Sequence, residues 1–161
     1  ERLHARLRYV PNLFSRTSTR RTYTRRNKII MVGDTIGDLI IRLKNAGAVG
    51  KDVVSVPYSK LRHSVADKLA EAGYVASVAT NGKEVQTKTL EVTLSYENNE
   101  HRINGVKRIS KPGRRLYTKV ADIHPVKFGK GNMILSTPAG ILTNDEAVEK
   151  KVGGEQLFII W

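Results

Sequence analysis

The groups best placed to do chemistry in this sequence are hydroxyls and cations rather than catalytic acids, bases or nucleophiles. Leu135-Ser136-Thr137-Pro138-Ala139-Gly140-Ile141-Leu142-Thr143 sets a short, uncharged, hydroxyl-bearing turn between two apolar runs. The chain around it is strongly basic, with 28 Lys and Arg against 15 Asp and Glu and a net charge of +13. Lys and Arg hold an acidic polymer without reading it, whereas short polar groups on a tight turn can approach a base edge or a sugar hydroxyl. Ser136 and Thr137 are therefore candidates for discrimination, and Gly140 for close backbone approach. The same residues also suit an ordinary hairpin loop, since Ser, Thr, Pro and Gly all favour turns.

A second basic element lies upstream. Residues 101–121 carry seven cations (Arg102, Lys107, Arg108, Lys111, Arg114, Arg115 and Lys119) and no acid. Pro112-Gly113 at the centre predicts a tight reversal, with Arg114, Arg115 and Tyr117 on the outgoing strand. Strand alternation places Arg115 and Tyr117 on one face, a guanidinium for phosphate beside a ring for stacking. Lys107, Lys111, Arg114 and Arg115 are the candidate phosphate contacts. Ser110 is a further hydroxyl for a base or a 2′-hydroxyl. The plainer alternative is a solvated edge strand that carries charge against aggregation.

Catalytic patterns are weak. His4, His63, His101 and His124 are scattered, and the absence of cysteine excludes disulfides, thiolate zinc sites and cysteine nucleophiles. Gly129-Lys130-Gly131 lacks the spacing of a phosphate-binding loop, and there is no Gly-x-Ser-x-Gly elbow. Asp34 and Asp38 sit one helical turn apart, where capping and dipole roles outweigh catalysis. No enzyme activity, cofactor or metal is predicted. No apolar run approaches the roughly 20 residues of a spanning helix, and no secretory hydrophobic segment is present, so no membrane partner is predicted.

These groups must be positioned by a mixed fold. Asp34 and Thr35 precede Ile36, Leu39, Ile40 and Leu43, a helical stripe ended by Gly47 and Gly50. Val53, Val54 and Val56 predict a short strand closed by Pro57. Ser59 caps a second helix with the stripe Leu61, Val65, Leu69 and Ala72, and Gly73 stops it. Strands at 74–79 and 87–96 flank an Asn81-Gly82 turn. This makes an αβαββ unit over residues 31–97. Residues 98–161 read as strand-rich, with strands at 103–109, 116–120, 133–135, 141–142 and 157–161. One short helix interrupts them, capped by Asn144, opened by Asp145 and Glu146, closed by Lys150 and Lys151, and stopped by Gly153-Gly154. The fold class is α+β, with two small lobes that pack together because about 65 residues is a marginal size for folding alone.

Residues 1–30 read as a basic N-terminal extension, with nine Lys and Arg against one acid, a net of +8. Ser and Thr alternate with Arg over 16–26, without apolar periodicity. Three readings stay open. It is a basic arm that orders on nucleic acid, with Tyr9 and Tyr23 for stacking; or an organelle transit peptide; or a translated extension ahead of a natural start at Met31.

Six segments taken in order resemble protein eight of the small ribosomal subunit over residues 31–161. They are Asp34-Thr35-Ile36-Gly37-Asp38-Leu39 with Arg42-Leu43-Lys44-Asn45-Ala46; Val56-Pro57-Tyr58-Ser59-Lys60-Leu61; Glu71-Ala72-Gly73-Tyr74-Val75; residues 108–117; residues 135–143; and Gly153-Gly154-Glu155. The resemblance implies a two-lobed α+β protein that binds the central domain of small-subunit rRNA and helps assemble the platform beside neighbouring small-subunit proteins. It implies a C-terminal lobe that reads RNA through the Ser-Thr turn, and no homo-oligomer. The family's turn runs Ser-Thr-Ser, then Lys or Arg, then Gly. This chain keeps Ser136, Thr137 and Gly140 but has Pro138 and Ala139, which lose a hydroxyl, a backbone N–H and a cation. Arg42, Asn45, Ser59 and Lys60 would form a secondary RNA surface on the first lobe. Repression of the protein's own operon mRNA through the same surface is the alternative function. The expected location is a cytoplasmic ribosome, or an organellar one if residues 1–30 derive from a transit peptide.

Overall fold

Asp34 begins the first helix, its carboxylate accepting the Gly37 backbone N–H at 2.9 Å. Helix α1 (Thr35–Ala48) buries Ile36, Leu39, Ile40, Leu43 and Gly47, a single stripe along one face. The computed structural model describes residues 33–82, 87–98 and 100–161. The predicted basic extension at 1–30, with Tyr9 and Tyr23, and the start at Met31 lie outside the described residues. Strand β1 (Val53–Pro57) turns Val54 and Val56 inward. Ser59 then caps helix α2 (Lys60–Glu71), accepting the Arg62 N–H at 3.2 Å. Gly73, at φ +78°, ends that helix in the left-handed conformation glycine tolerates.

The inward stripe of α2 departs from the sequence expectation. Val65 and Leu69 are buried, but Leu61 is 42% exposed and Arg62 takes the inward place at 6%. Arg62 is tolerated there because its guanidinium donates to the carbonyls of Thr35 and Pro57 and lies 3.6 Å from the Asp38 carboxylate. Strands β2 (Val75–Asn81) and β3 (Thr89–Leu94) complete an antiparallel sheet in the order β1-β3-β2. Asn81 pairs with Thr89 in the β2–β3 ladder, so Asn81 belongs to the strand and Asn81-Gly82 is not a two-residue turn.

A small hairpin of β4 (Tyr96–Glu97) and β5 (Glu100–His101) leads to the second sheet. Its strands are β6 (Val106–Arg108), β7 (Tyr117–Thr118), β8 (Asn132–Thr137), β9 (Gly140–Thr143) and β10 (Gly154–Ile160). The order is β6-β10-β8-β9, with β7 also pairing β10. β6 and β7 are shorter than the predicted strands at 103–109 and 116–120: residues 103–105 precede β6, and beyond Thr118 the chain enters a short 3-10 turn at Val120–Asp122. Helix α3 (Asn144–Glu149) is capped by Thr143 rather than Asn144. Thr143 and Glu146 form a reciprocal capping box, and the Asn144 side chain instead accepts the Met133 N–H at 3.1 Å. Lys150 and Lys151 follow the helix rather than closing its last turn.

One hydrophobic cluster joins the two sheets. It runs from Leu39, Leu43, Val65, Leu69, Leu90 and Val92 to Ile103, Ile134, Phe158 and Ile160. A second cluster of Ile123, Leu135, Leu142 and Ala147 lies under α3. Ile134 and Leu135 therefore face opposite sides of β8, and both sides are covered. Polar links reinforce the joint. Arg108 on β6 reaches Asp34 at the start of α1 at 2.9 Å, and Lys68 on α2 reaches Glu146 on α3 at 3.0 Å. The chain is an α+β protein.

Candidate nucleic-acid interface

The site is organised around the first residues of β10. Glu155 pairs in register with Ser136 on β8 at one side and with Tyr117 on β7 at the other. The three side chains therefore share one face of the sheet. Two glycines make this row possible. A Cβ on Gly154 would press into the Ser136 carbonyl and come within 2.9 Å of Thr137 Cγ2, and a Cβ on Gly153 would press into the Thr118 carbonyl. Gly153-Gly154 thus seats β10 tightly between β7 and β8; the sequence reads the pair as the stop of the short helix, but that helix ends earlier, at Glu149.

The basic hairpin is anchored on the same strand. Lys111 and Arg114 exchange backbone hydrogen bonds of 2.9 Å in both directions, with Pro112-Gly113 at the tip. The Ser110 N–H donates to Gln156 O at 3.1 Å, and the Gln156 N–H donates to Leu116 O at 2.8 Å. Lys111 and Arg114 are exposed, and Tyr117 is 73% exposed. Arg115 and Tyr117 do meet on one face, although Arg115 stands outside any strand. Its guanidinium donates to Glu155 at 2.8 Å. Ser110 differs from the rest. It is fully buried, and its hydroxyl accepts the Leu116 N–H at 3.0 Å, so it ties the hairpin closed rather than facing a ligand.

The Ser-Thr turn is a hairpin in which Thr137 pairs with Gly140 across Pro138-Ala139. The Thr137 hydroxyl accepts the Ala139 N–H at 3.2 Å and donates to Gly140 O at 2.9 Å. Gly140 has φ +112°, a conformation open to glycine alone at little strain. The half-buried Ser136 hydroxyl has no hydrogen-bond partner among the described residues. The division of labour is plain: Thr137 builds the turn, and Ser136 presents a free donor and acceptor beside Glu155 and Tyr117.

Lys107 belongs elsewhere. It pairs with Ile159, four residues along β10 from Glu155 and on the order of 13 Å away at strand spacing. Of the four residues predicted on the first lobe, Arg42 and Asn45 lie on α1, and Ser59 and Lys60 stand at the start of α2. Arg42 donates to Asp38 at 2.8 Å, and Asp38 in turn neighbours the buried Arg62. Arg42 and Asn45 line a cavity of about 420 Å³ with Lys51 and Ser55. Lys60 is exposed, while the Ser59 hydroxyl is engaged as the helix cap.

Sequence reasoning did not reveal Arg108 or Glu155 as organisers of the site. Burial pushes the Asp34 carboxyl up, but hydrogen bonds from Arg108 and Gly37 outweigh it and hold the group below its ordinary value. That pair fixes the start of α1 against β6. Among the described residues, no group of three or more His, Asp or Glu side chains is placed to hold a metal ion.

Comparison with known proteins gives the family of the chain. The model of the ribosomal protein S8 family matches residues 34–161. The small ribosomal subunit protein uS8 of a Nocardioides species is 47% identical over 131 residues, covering 80% of this chain and 97% of that protein. The protein of the same name in Nitratidesulfovibrio vulgaris is 42% identical over 131 residues, covering 81% of this chain and all of its own length. That of Mycoplasmopsis synoviae is 40% identical over 128 residues, covering 80% of this chain and 97% of that protein. The chain belongs to the ribosomal protein S8 family, as the six ordered segments imply.

Proposed function

We propose that this chain binds small-subunit rRNA directly, in its central domain, and contributes to assembly of the platform of a cytoplasmic ribosome. The observation that carries the reading is the row Ser136–Glu155–Tyr117. One free hydroxyl and one exposed ring stand on a common face. Cations from the 110–116 hairpin flank that row. Lys111, Arg114 and Arg115 supply phosphate neutralisation, Tyr117 stacks or contacts sugar, and Ser136 reads a base edge or a 2′-hydroxyl. Ser110, Thr137 and Gly140 hold these groups in place. Arg42, Asn45 and Lys60 offer a secondary RNA surface. On this reading residues 98–161 form the lobe that reads the RNA and residues 31–97 the lobe that supports it.

Filter binding of the full chain to a central-domain transcript tests this. Ser136→Ala should weaken binding by about 1–3 kcal/mol, roughly 5- to 150-fold, if the RNA group it meets is left unpaired. The thermal midpoint should stay put. Equal affinity of the variant and the wild type would remove Ser136 from the interface.

A further inference from the structure

The far end of β10 carries a feature that the Ser136 site does not use. Phe128 is fully exposed, at 102% of its reference area. It sits in a loop closed by a bridge between Val126 and Gly131, with the Gly129 N–H donating to Val126 O at 2.9 Å. Lys127, Phe128 and Gly129 have φ of +49°, +58° and +85°, three successive left-handed residues of which two are not glycine. L-residues avoid that conformation for steric reasons, and such strain persists only where the surroundings impose it. Here the loop is braced on Trp161. Lys127 Nζ lies 4.9 Å from the indole ring centre, and a Cβ on Gly131 would come within 2.9 Å of Trp161 Cβ.

A single exposed apolar side chain on a soluble protein is ordinary. A phenyl ring raised on a strained, braced turn among cations that have no carboxylate partner is a different arrangement. Lys107, Lys127 and Lys130 make no ion pair among the described residues. A cavity of about 400 Å³ beside the loop is lined by Lys107, Lys127, Met133 and Trp161, with no carboxylate in its wall. A free aromatic face flanked by cations fits a flat base with a phosphate on either side. An apolar protein pocket would not require three cations, whereas a polyanion does.

We infer that Phe128, with Lys107, Lys127 and Lys130, forms a second RNA contact that stacks an unpaired nucleotide at the opposite end of β10 from Ser136. The inference rests on the RNA reading above and extends it to a site roughly 15–20 Å distant along the strand.

The test uses the full chain and the central-domain transcript, with an unrelated RNA of equal length as control. Phe128→Ala should lower affinity about 5- to 100-fold, and Phe128→Leu should fall with it. Phe128→Tyr should keep wild-type affinity, since its ring still stacks. Thermal midpoints should be unchanged, and that of Phe128→Gly should rise as the left-handed strain is relieved while its RNA affinity falls. A photoreactive benzoylphenylalanine at position 128, in assembled small subunits, should cross-link to RNA. Wild-type affinity in Phe128→Ala, with transcript selectivity intact, overturns this inference alone, as does cross-linking to a protein. Loss of selectivity in the wild-type chain itself overturns the RNA reading and this inference together.

Discussion

Gly154→Ala is the most direct probe of how the interface is built. The added methyl would press into the Ser136 carbonyl oxygen and lie 3.0 Å from the Ser136 carbonyl carbon, both backbone atoms that no rotamer change can move. Relief requires β10 and β8 to part at the point where their register places Glu155 against Ser136. Overpacking of this kind costs about 1–3 kcal/mol, from which a stiffer unfolded chain recovers a few tenths to 1 kcal/mol. At about 4 °C per kcal/mol the thermal midpoint should drop by up to roughly 10 °C once that recovery is taken off. Amide exchange should accelerate at Ser136 and Glu155, which face each other across the β8–β10 ladder, and RNA affinity should fall because Ser136 no longer sits in line with Tyr117. Gly140→Ala is the matched control. Nothing lies within 4 Å of its added methyl, so its cost comes only from φ +112°. Stability should fall there too, but the β8–β10 ladder should stay protected. A Gly154→Ala protein with wild-type stability and a protected ladder would refute the tight seating of β10.

Three further outcomes follow from the same geometry. Thr137→Ala should cost about 0.5–1.5 kcal/mol of stability as well as RNA affinity, because its hydroxyl closes the turn, and thermal melts beside binding curves will separate it from Ser136→Ala. Asp34→Asn keeps a good helix cap but loses the ion pair with Arg108. The folded-state carboxyl lies below the ordinary 3.8, so its contribution is present above that pH and disappears as pH falls through the lower folded value. The midpoint gap between wild type and variant should therefore be widest near neutrality and shrink below pH 3.8. A gap independent of pH would show that the pair does not act through charge. Arg115→Ala should weaken binding to all RNAs alike and flatten the salt dependence. Loss confined to one RNA sequence would contradict a phosphate role.

Features set by neighbouring residues were legible from sequence. The Asp34 and Ser59 caps, the Gly73 stop and the Pro112-Gly113 reversal all stand where turn and cap chemistry puts them. The misses share one cause, partners that only the folded chain brings into reach. Arg62 turns inward because the Thr35 carbonyl, 27 positions away, receives its guanidinium. Asn144 is drawn from the cap position to the Met133 N–H on β8. Ser110 looked like a free hydroxyl until the fold placed Leu116 across from it. At the site, the hydroxyls, cations and Tyr117 could be named from their types, but their sorting could not. Only the register of β10 shows that Ser136 and Tyr117 flank Glu155 while Lys107 stands with Ile159.

The placement of β10 also governs the order in which the interface comes into being. β6, β7 and β8 all pair with β10, which follows them in the chain, and none of the three pairs with another. During synthesis those earlier strands emerge with open edges and no mutual ladder. Only the β8–β9 hairpin can close locally. Ser136 and Tyr117 acquire their spacing only with β10 in place, through contacts of long sequence separation that are slow to close. On the proposed RNA reading, a nascent chain lacking β10 would carry the cations that attract RNA without the geometry that selects it, which ties discrimination to the arrival of that strand.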